Sequence, residues 1–535
     1  MATKKSTTKF WRQGEPFVWG TALALTLVLC MTLLLFYVVL ANGITVFWPK
    51  NVTLATLNNG GYALGEVVKD EENPGTGKKR FQFKIGNRDL YGLDFKWIDA
   101  EEITNFSTPP DIYVLERQEN GNFYGSLKEL KTPGLVLPVE KNESLQAALD
   151  SIEPQRLEVE KIDRQIAALN DKVEQNNNKL LKLRYKKEEH TAAAVALHEK
   201  VSTIKAEFEQ LVVVLGSKQA IVAANEAVFV DANGQEKTIR LADIVRFYQP
   251  NSMSWVQKWS YYGKRLKELL FAEPRESNTE GGLFPAIFGT IMLIFMMSIL
   301  SFPLGVLAGI YLREYAREGY LVKMVRIAVN NLAGIPSIVY GIFGLGFFVY
   351  GIGSQIDLLF FPEKLPTPTF GTGGILWASM TLGLLTVPVV IVATEEALGA
   401  IPPGIREGSQ ALAATKFQTL TRILLPMASP GILTGFILAM ARAAGEVAPL
   451  MITGVVKLAP ALPLDGSFPY LHLDRKFMHL GFHIYDIGFQ SPNVEAAKPM
   501  VYVTTLLLIL IVLIMTSTAI YLRNRMRERF SVADL

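Results

Sequence analysis

The chain has 535 residues, half of them hydrophobic and 19% charged, with a formal net charge of +3. That is too apolar for a soluble protein of this length and too weakly basic for a nucleic-acid binder. The single cysteine, Cys30, excludes a disulfide framework.

Apolar runs long enough to cross a bilayer fall at residues 17–41, 283–312, 325–352, 375–393, 432–456 and 501–522, and predict six transmembrane helices. The first is too long for a signal core and no small-x-small site follows it, so it is expected to stay as a span. Lys4, Lys5, Lys9 and Arg12, then Arg313, Arg317, Lys323 and Arg326, then Arg406, Lys416 and Arg422, and finally Arg523, Arg525, Arg527 and Arg529 lie on one side of this arrangement. The alternate segments hold only Lys364, Lys457, Arg475, Lys476 and Lys498. The positive-inside bias makes both termini cytoplasmic. The expected organisation is 1–42 for the amino-terminus and first span, 43–282 for an external (periplasmic) insertion, 283–522 for a five-helix core, and 523–535 for a cytoplasmic tail. Asn51, Asn105 and Asn142 open Asn-x-Ser/Thr triplets, which are common by chance and carry little weight.

Within the insertion, "RFQFKIG" and "DIYVLERQENGNFYGSLKEL" alternate apolar and polar positions, and Asn120-Gly121 reads as a hairpin turn. After Pro154 the period changes. Apolar residues from Ile162 to Leu215 recur in alternating steps of four and three, broken by polar seam positions at Asn176, Lys187 and His190. No Gly or Pro interrupts residues 155–215. One coiled-coil-like helix of about 90 Å and a helical hairpin both fit. Further on, Trp255, Trp259, Tyr262, Leu266 and Leu269 share a helical face beside Lys258, Lys264 and Lys267. This suits an interfacial helix or a core-facing one.

Catalytic signals are absent. "NPGTGKK" lacks the first glycine and the Ser/Thr of a phosphate-binding loop, and reads as a turn. His479 and His483 share a helix face without a third assured metal ligand. No nucleophile-base arrangement is discernible, so the chain reads as a non-enzyme without cofactor or metal.

Two places remain informative. Arg442 and Glu446 stand in the middle of the apolar run 431–456. An isolated ion at the bilayer centre costs about 3 kcal/mol or more. Four residues apart, they share a helix face and partly neutralise each other, either as a packing salt bridge or on a polar translocation path. The second place is the 394–428 loop, where residues 406–414 form a short helix and Leu412, Phe417, Leu420, Ile423 and Leu424 continue it amphipathically to Pro426. Such an element is a solvated connector or inserts into a groove on a partner.

This loop resembles the EAA-type loop of ABC importer permeases: Glu-Ala-Ala, three residues, Gly, nine residues, then Ile-x-Leu-Pro. Glu407, Ile423, Leu425 and Pro426 match, Gly408 and Ser409 replace the alanines, and Ala413 replaces the glycine. "GGLFPAIFGT", "FPLGVLAGIYLREYA", "NLAGIPSIVYGIFG" and "ARAAGEVAPL" extend the resemblance to the PstA family of phosphate permeases, from about residue 281 to 456.

The resemblance implies a type I-like ABC importer core and a membrane subunit without its own ATPase, beside an external α+β insertion that it does not cover. It further implies a phosphate path through Arg442 and Glu446, and ATPase docking through Glu407, Gly408, Ser409, Ala413, Ile423, Leu425 and Pro426. The implied partners are a sister permease (PstC-like), an ATPase dimer (PstB-like), a periplasmic phosphate-binding protein (PstS-like) and membrane lipid, with no nucleic acid. Rival readings are a permease for another oxyanion, such as molybdate or sulfate, and a membrane scaffold or signalling protein working through the coiled coil.

Overall fold

The computed structural model describes residues 11, 14–132, 135–138, 142–491 and 493–530. Lys4, Lys5, Lys9 and Arg12, and residues 531–535 of the expected tail, lie outside them. Among the described residues, six helices are long and apolar enough to cross a membrane. They are α1 (Glu15–Thr45), α5 (Phe284–Ile310, continuing to Tyr315), α7 (Ser337–Phe343, extended by wider turns to Phe360), α8 (Ile375–Gly399), α10 (Lys416–Ala444) and α13 (Val494–Phe530).

The central helix is α8, packed between α5 and α10. Two-thirds of its apolar window is buried (67%), against 6% for α1, which leans mainly on α13. Small residues set the tightest approach. A Cβ on Gly305 or Gly309 of α5 would lie 2.6 Å from the Cβ of Val390 or Thr394 on α8, so those glycines let the two backbones meet.

Two spans differ from the sequence expectation. The run 325–352 divides into an amphipathic helix α6 (Tyr320–Leu332) and the span α7, because Gly334 and Pro336 break the helix between them. The run 432–456 ends as a helix at Ala444, and α11 (Ala448–Thr453) turns away after Gly445 with Pro449 in its first turn. The span itself begins earlier, at Lys416.

The insertion contains two antiparallel sheets. One has the order β4-β3-β2-β1-β5 (β1 Val52–Leu57, β2 Tyr62–Glu72, β3 Lys79–Lys84, β4 Phe95–Asp99, β5 Ile103–Ser107). The other has the order β10-β9-β7-β6-β11, with β8 pairing β7 (β6 Tyr113–Arg117, β7 Phe123–Thr132, β8 Leu135–Pro138, β9 Glu226–Val230, β10 Glu236–Arg240, β11 Ile244–Tyr248). Asn120 and Gly121 both sit at positive φ between β6 and β7, which suits their residue types.

Between β8 and β9 the chain forms α2 (Asn142–Tyr185) and α3 (Ala192–Ala223), an antiparallel pair. Residues 155–215 are thus not one long helix, although neither Gly nor Pro breaks them. Lys187 takes the left-handed conformation (φ 61°), and Thr191 caps α3 by accepting from the Ala194 N–H. The charged run Lys186–His190 has no apolar side chain to bury, so the turn exposes nothing that packing needs.

The hairpin does not project freely. Asp171 accepts a hydrogen bond from Ser467 (3.1 Å), and Lys182 lies 3.8 Å from Glu363, both on loops of the helical core. Each such contact is worth about 1 kcal/mol or less. At the base, Lys218 bridges to Glu158 (3.0 Å) while Leu145 and Ile152 are fully buried against the second sheet. Replacing 155–215 with a short Gly-Ser joint is therefore expected to leave the core inserted, read as membrane-fraction yield. Loss of all inserted protein would make the hairpin integral to the core.

The amphipathic helix α4 (Trp255–Phe271) serves two surfaces. Leu269 is buried against the core, whereas Trp255 and Trp259 are more than half exposed and pack edge-on against Trp48, three residues past the end of α1 (4.9 and 5.4 Å between ring centroids). An exposed aromatic cluster there marks the level of the lipid headgroups.

His479 and His483 are structural. His479 caps α12 (Leu480–Tyr485) by accepting from Gly481 N–H, and His483 contacts the Asn278 carbonyl (3.1 Å) and Thr504 hydroxyl (3.2 Å). Among the described residues no three His, Cys, Asp or Glu side chains form a metal site. Burial pushes both imidazoles down to about 4. The unfolded chain takes up these protons below about pH 6.5 and the folded one only near 4, so stability is present above about 6.5 and lost as pH falls toward 4. Unfolding temperature in detergent is expected to drop across that window, and less so in His479→Gln.

Candidate functional site: two helix breaks and a short exposed helix

Arg442 sits in the last turn of α10, and Glu446 lies just beyond its end. They are not mid-span on a continuous helix, yet the turn keeps them together. Arg442 Nε is 3.6 Å from Glu446 Oε1. The cation suits a helix C-terminus, where unsatisfied carbonyls carry partial negative charge. Its Nη1 also donates to the Ala333 carbonyl (3.4 Å), in the break between α6 and α7.

Two interrupted helices therefore meet at this pair. Tyr340 Oη donates to the Leu332 carbonyl (2.7 Å), satisfying another backbone group freed by the same break. The two breaks are held against each other by Gly341, where a Cβ would lie 2.8 Å from Pro449 Cα. Non-helical backbone at membrane depth is tolerated only where protein covers it or it lines a polar cavity. The side chain of Arg442 is 36% exposed and that of Glu446 19%, so the pair keeps an open side. It can offer an anion a planar fork of donors. Sequence reading missed Ala333 and Tyr340, although Gly334 and Pro336 in "NLAGIPS" are the break signal that locates them.

The second place is α9 (Pro403–Ala411), between the end of α8 and the start of α10. Arg406 anchors it, donating to the carbonyls of Leu398 (2.7 Å) and Ile401 (2.9 Å) and to Glu314 at the end of α5 (2.7 Å). Sequence reading had counted Arg406 only as a topological charge. Ser409 is buried, 2.8 Å from the Thr419 hydroxyl. The next segment starts with a capping box between Thr415 and Gln418.

Glu407, Gly408 and Ala413 are exposed, as are Leu412 and Phe417 (86% and 66%). Ile423, Leu425 and Pro426 lie further along within the 416–444 helix and are partly covered. The candidate residues thus divide into a surface set, Ser409 as a brace, and three that hold the following helix.

Ala413 explains a glycine expected at this position. It is left-handed (φ 62°), with Ala413 N–H donating to the Gln410 carbonyl (2.9 Å) and Ala414 N–H to the Ser409 carbonyl (3.2 Å). This is the paired C-terminal cap that glycine adopts without steric cost. Ala413→Gly is expected to stabilise the chain by about 1 kcal/mol, visible as a higher unfolding temperature. A lower one would contradict the strain argument.

Residues 301–528 match the family model for the binding-protein-dependent transport system inner membrane component. The chain is 33% identical over 221 residues to the probable phosphate transport system permease protein PstA of Methanocaldococcus jannaschii, covering 41% of this chain and 67% of that one. It is 38% identical over 188 residues to PstA of Yersinia pestis (35% and 58% covered), and 30% identical over 223 residues to the probable ABC transporter permease protein YqgI of Bacillus subtilis (40% and 70%). A solved chain of the inward-facing MetNI methionine ABC transporter aligns over 46% of this chain and 95% of its own, at 19% identity and a TM-score of 0.34.

These are multi-pass inner-membrane permease components of ABC transporters. The chain belongs to the PstA family among them. Matches to such relatives span 50% to 70% of the relatives' own lengths, and the family model begins only after the insertion.

Proposed function

We propose that this chain is a membrane subunit of an ATP-driven phosphate importer and forms the translocation path together with a sister permease. The observation that carries this reading is the meeting of two helix breaks at Arg442 and Glu446, a charged pair with an open side in a chain of the PstA family. Relatives named as phosphate permeases support the choice of anion. Phosphate reaches Arg442 from the side that carries the insertion, delivered by a periplasmic phosphate-binding protein. Both termini and α9 face the cytoplasm, as the distribution of Lys and Arg favours. The exposed Glu407 and Gly408 on α9, with Leu412 and Phe417 just beyond it, dock one subunit of an ATPase dimer, and ATP binding and hydrolysis there alternate the access of the path.

Co-purification tests the assembly. A tag on this chain is expected to retain an ATPase and a second permease in mild detergent. Recovery of the chain alone, or only with partners of its 142–223 hairpin, would favour a scaffold instead.

A further inference from the structure

Above the membrane ends of α1 and α13 lies a cavity of about 710 Å³, within the size range of small-molecule sites. Residues 45–50 and 495–502 form its floor, strands β2, β3 and β4 its roof, and the 276–280 segment part of its wall. It adjoins the Trp48 aromatic cluster, so its floor sits at the level of the lipid headgroups.

Most ions around this cavity already have partners: Arg88 with Glu276, Arg265 with Glu116 (3.1 Å), Lys69 with Glu71, and Lys498 with Glu495. Four lining residues have no ion pair among the described residues. Two are cations, Lys50 and Lys84, and two are carboxylates, Glu66 and Glu280. Glu66 accepts one hydrogen bond from Tyr124 (2.9 Å), and Lys84 stands opposite it in the β2–β3 register. Burial raises the Glu280 carboxyl above its ordinary range; nearby Lys84 and Arg265 oppose the shift, and Glu116 and Glu276 add to it.

Lys84, Glu66 and Glu280 are half-buried and Lys50 is exposed. Charges of both signs that lack a bridging partner are balanced most fully by a ligand that supplies both complements. Inorganic phosphate would satisfy the lysines and could donate a proton to a carboxylate, but it brings no positive charge to balance Glu66 and Glu280. A simple cation would do the reverse. We propose that the cavity holds the headgroup of an aminophospholipid, its phosphate toward Lys50 and Lys84 and its ammonium toward Glu66 and Glu280. The acyl chains leave beside α1 and α13, into the lipid that α1 faces along most of its length. This site is independent of the Arg442 path and of which anion that path carries.

Native mass spectrometry of the full-length chain, purified with its subunits and exposed to equal phosphatidylethanolamine and phosphatidylglycerol, tests the assignment. Loss of one charge-assisted contact corresponds to about tenfold in occupancy. Wild type is expected to retain phosphatidylethanolamine about tenfold over phosphatidylglycerol under increasing activation. Glu280→Gln should bring that ratio close to one, and Lys84→Gln should lower retention of both lipids. Equal retention of the two lipids by wild type would overturn the proposal, as would an unchanged ratio and occupancy in both variants, or displacement of the lipid by inorganic phosphate. The wild-type ratio decides even where a variant fails to fold.

Discussion

Arg442→Gln is expected to lower phosphate uptake by about two orders of magnitude. The variant loses the cation of the path and keeps its anion, so Glu446 meets an incoming anion as an unscreened like charge. A charge-assisted hydrogen bond contributes about 1.5–3 kcal/mol, and leaving the partner charge unpaired adds to the loss. The contact to the Ala333 carbonyl goes as well, but a glutamine amide can still donate there, which favours retained folding. Glu446→Gln is expected to behave differently. Phosphate near neutral pH keeps a proton and can donate to a carboxylate, whereas sulfate cannot. The Gln variant should therefore retain part of its phosphate uptake while rejecting sulfate about tenfold less well. Wild-type uptake and selectivity in both variants would reduce the pair to a structural salt bridge.

Glu407→Lys carries the second large effect. Glu407 is exposed on α9 and makes no hydrogen bond or ion pair among the described residues, so reversing its charge leaves the fold unburdened. The anchor of α9 is Arg406, next to it but pointing to the Leu398 and Ile401 carbonyls and Glu314. If α9 seats in the ATPase, the reversed charge at its centre should separate ATP hydrolysis from uptake, with membrane insertion unchanged. Uptake in the variant is expected to fall at least about tenfold, since a like-charge juxtaposition at an interface costs several kcal/mol. Unchanged uptake and unchanged ATPase co-purification would remove Glu407 from the docking surface.

The positions of the spans were legible because twenty consecutive apolar residues have few alternatives to a bilayer. Their ends were not. Residues 325–332 are apolar on one face only, and hydropathy ran on through Gly334 and Pro336 into α7 although both signal a break. At the other break, α11 is as apolar as the helix it follows, so the run 432–456 read as continuous while the backbone turned at Gly445. The charged pair survived that error because residues four apart stay close through a tight turn as well as along a helix.

The hairpin turn at Lys187 was hidden for another reason. A lysine in the left-handed region carries no sequence signature, unlike glycine or asparagine. Arg406 is the opposite case, plainly visible but unreadable in role, since its partner Glu314 is 92 residues away. The same holds for the unpaired ions above α1 and α13, which only the tertiary fold brings around one cavity.

The most direct measurement is uptake of labelled phosphate into proteoliposomes. These would contain the full-length chain with its sister permease and ATPase, with the binding protein outside and ATP within. Phosphate should accumulate only with ATP, resist competition by sulfate and molybdate, and stop in Arg442→Gln. Accumulation of another oxyanion in preference to phosphate, or ATP-driven phosphate uptake undiminished in Arg442→Gln, would contradict the account.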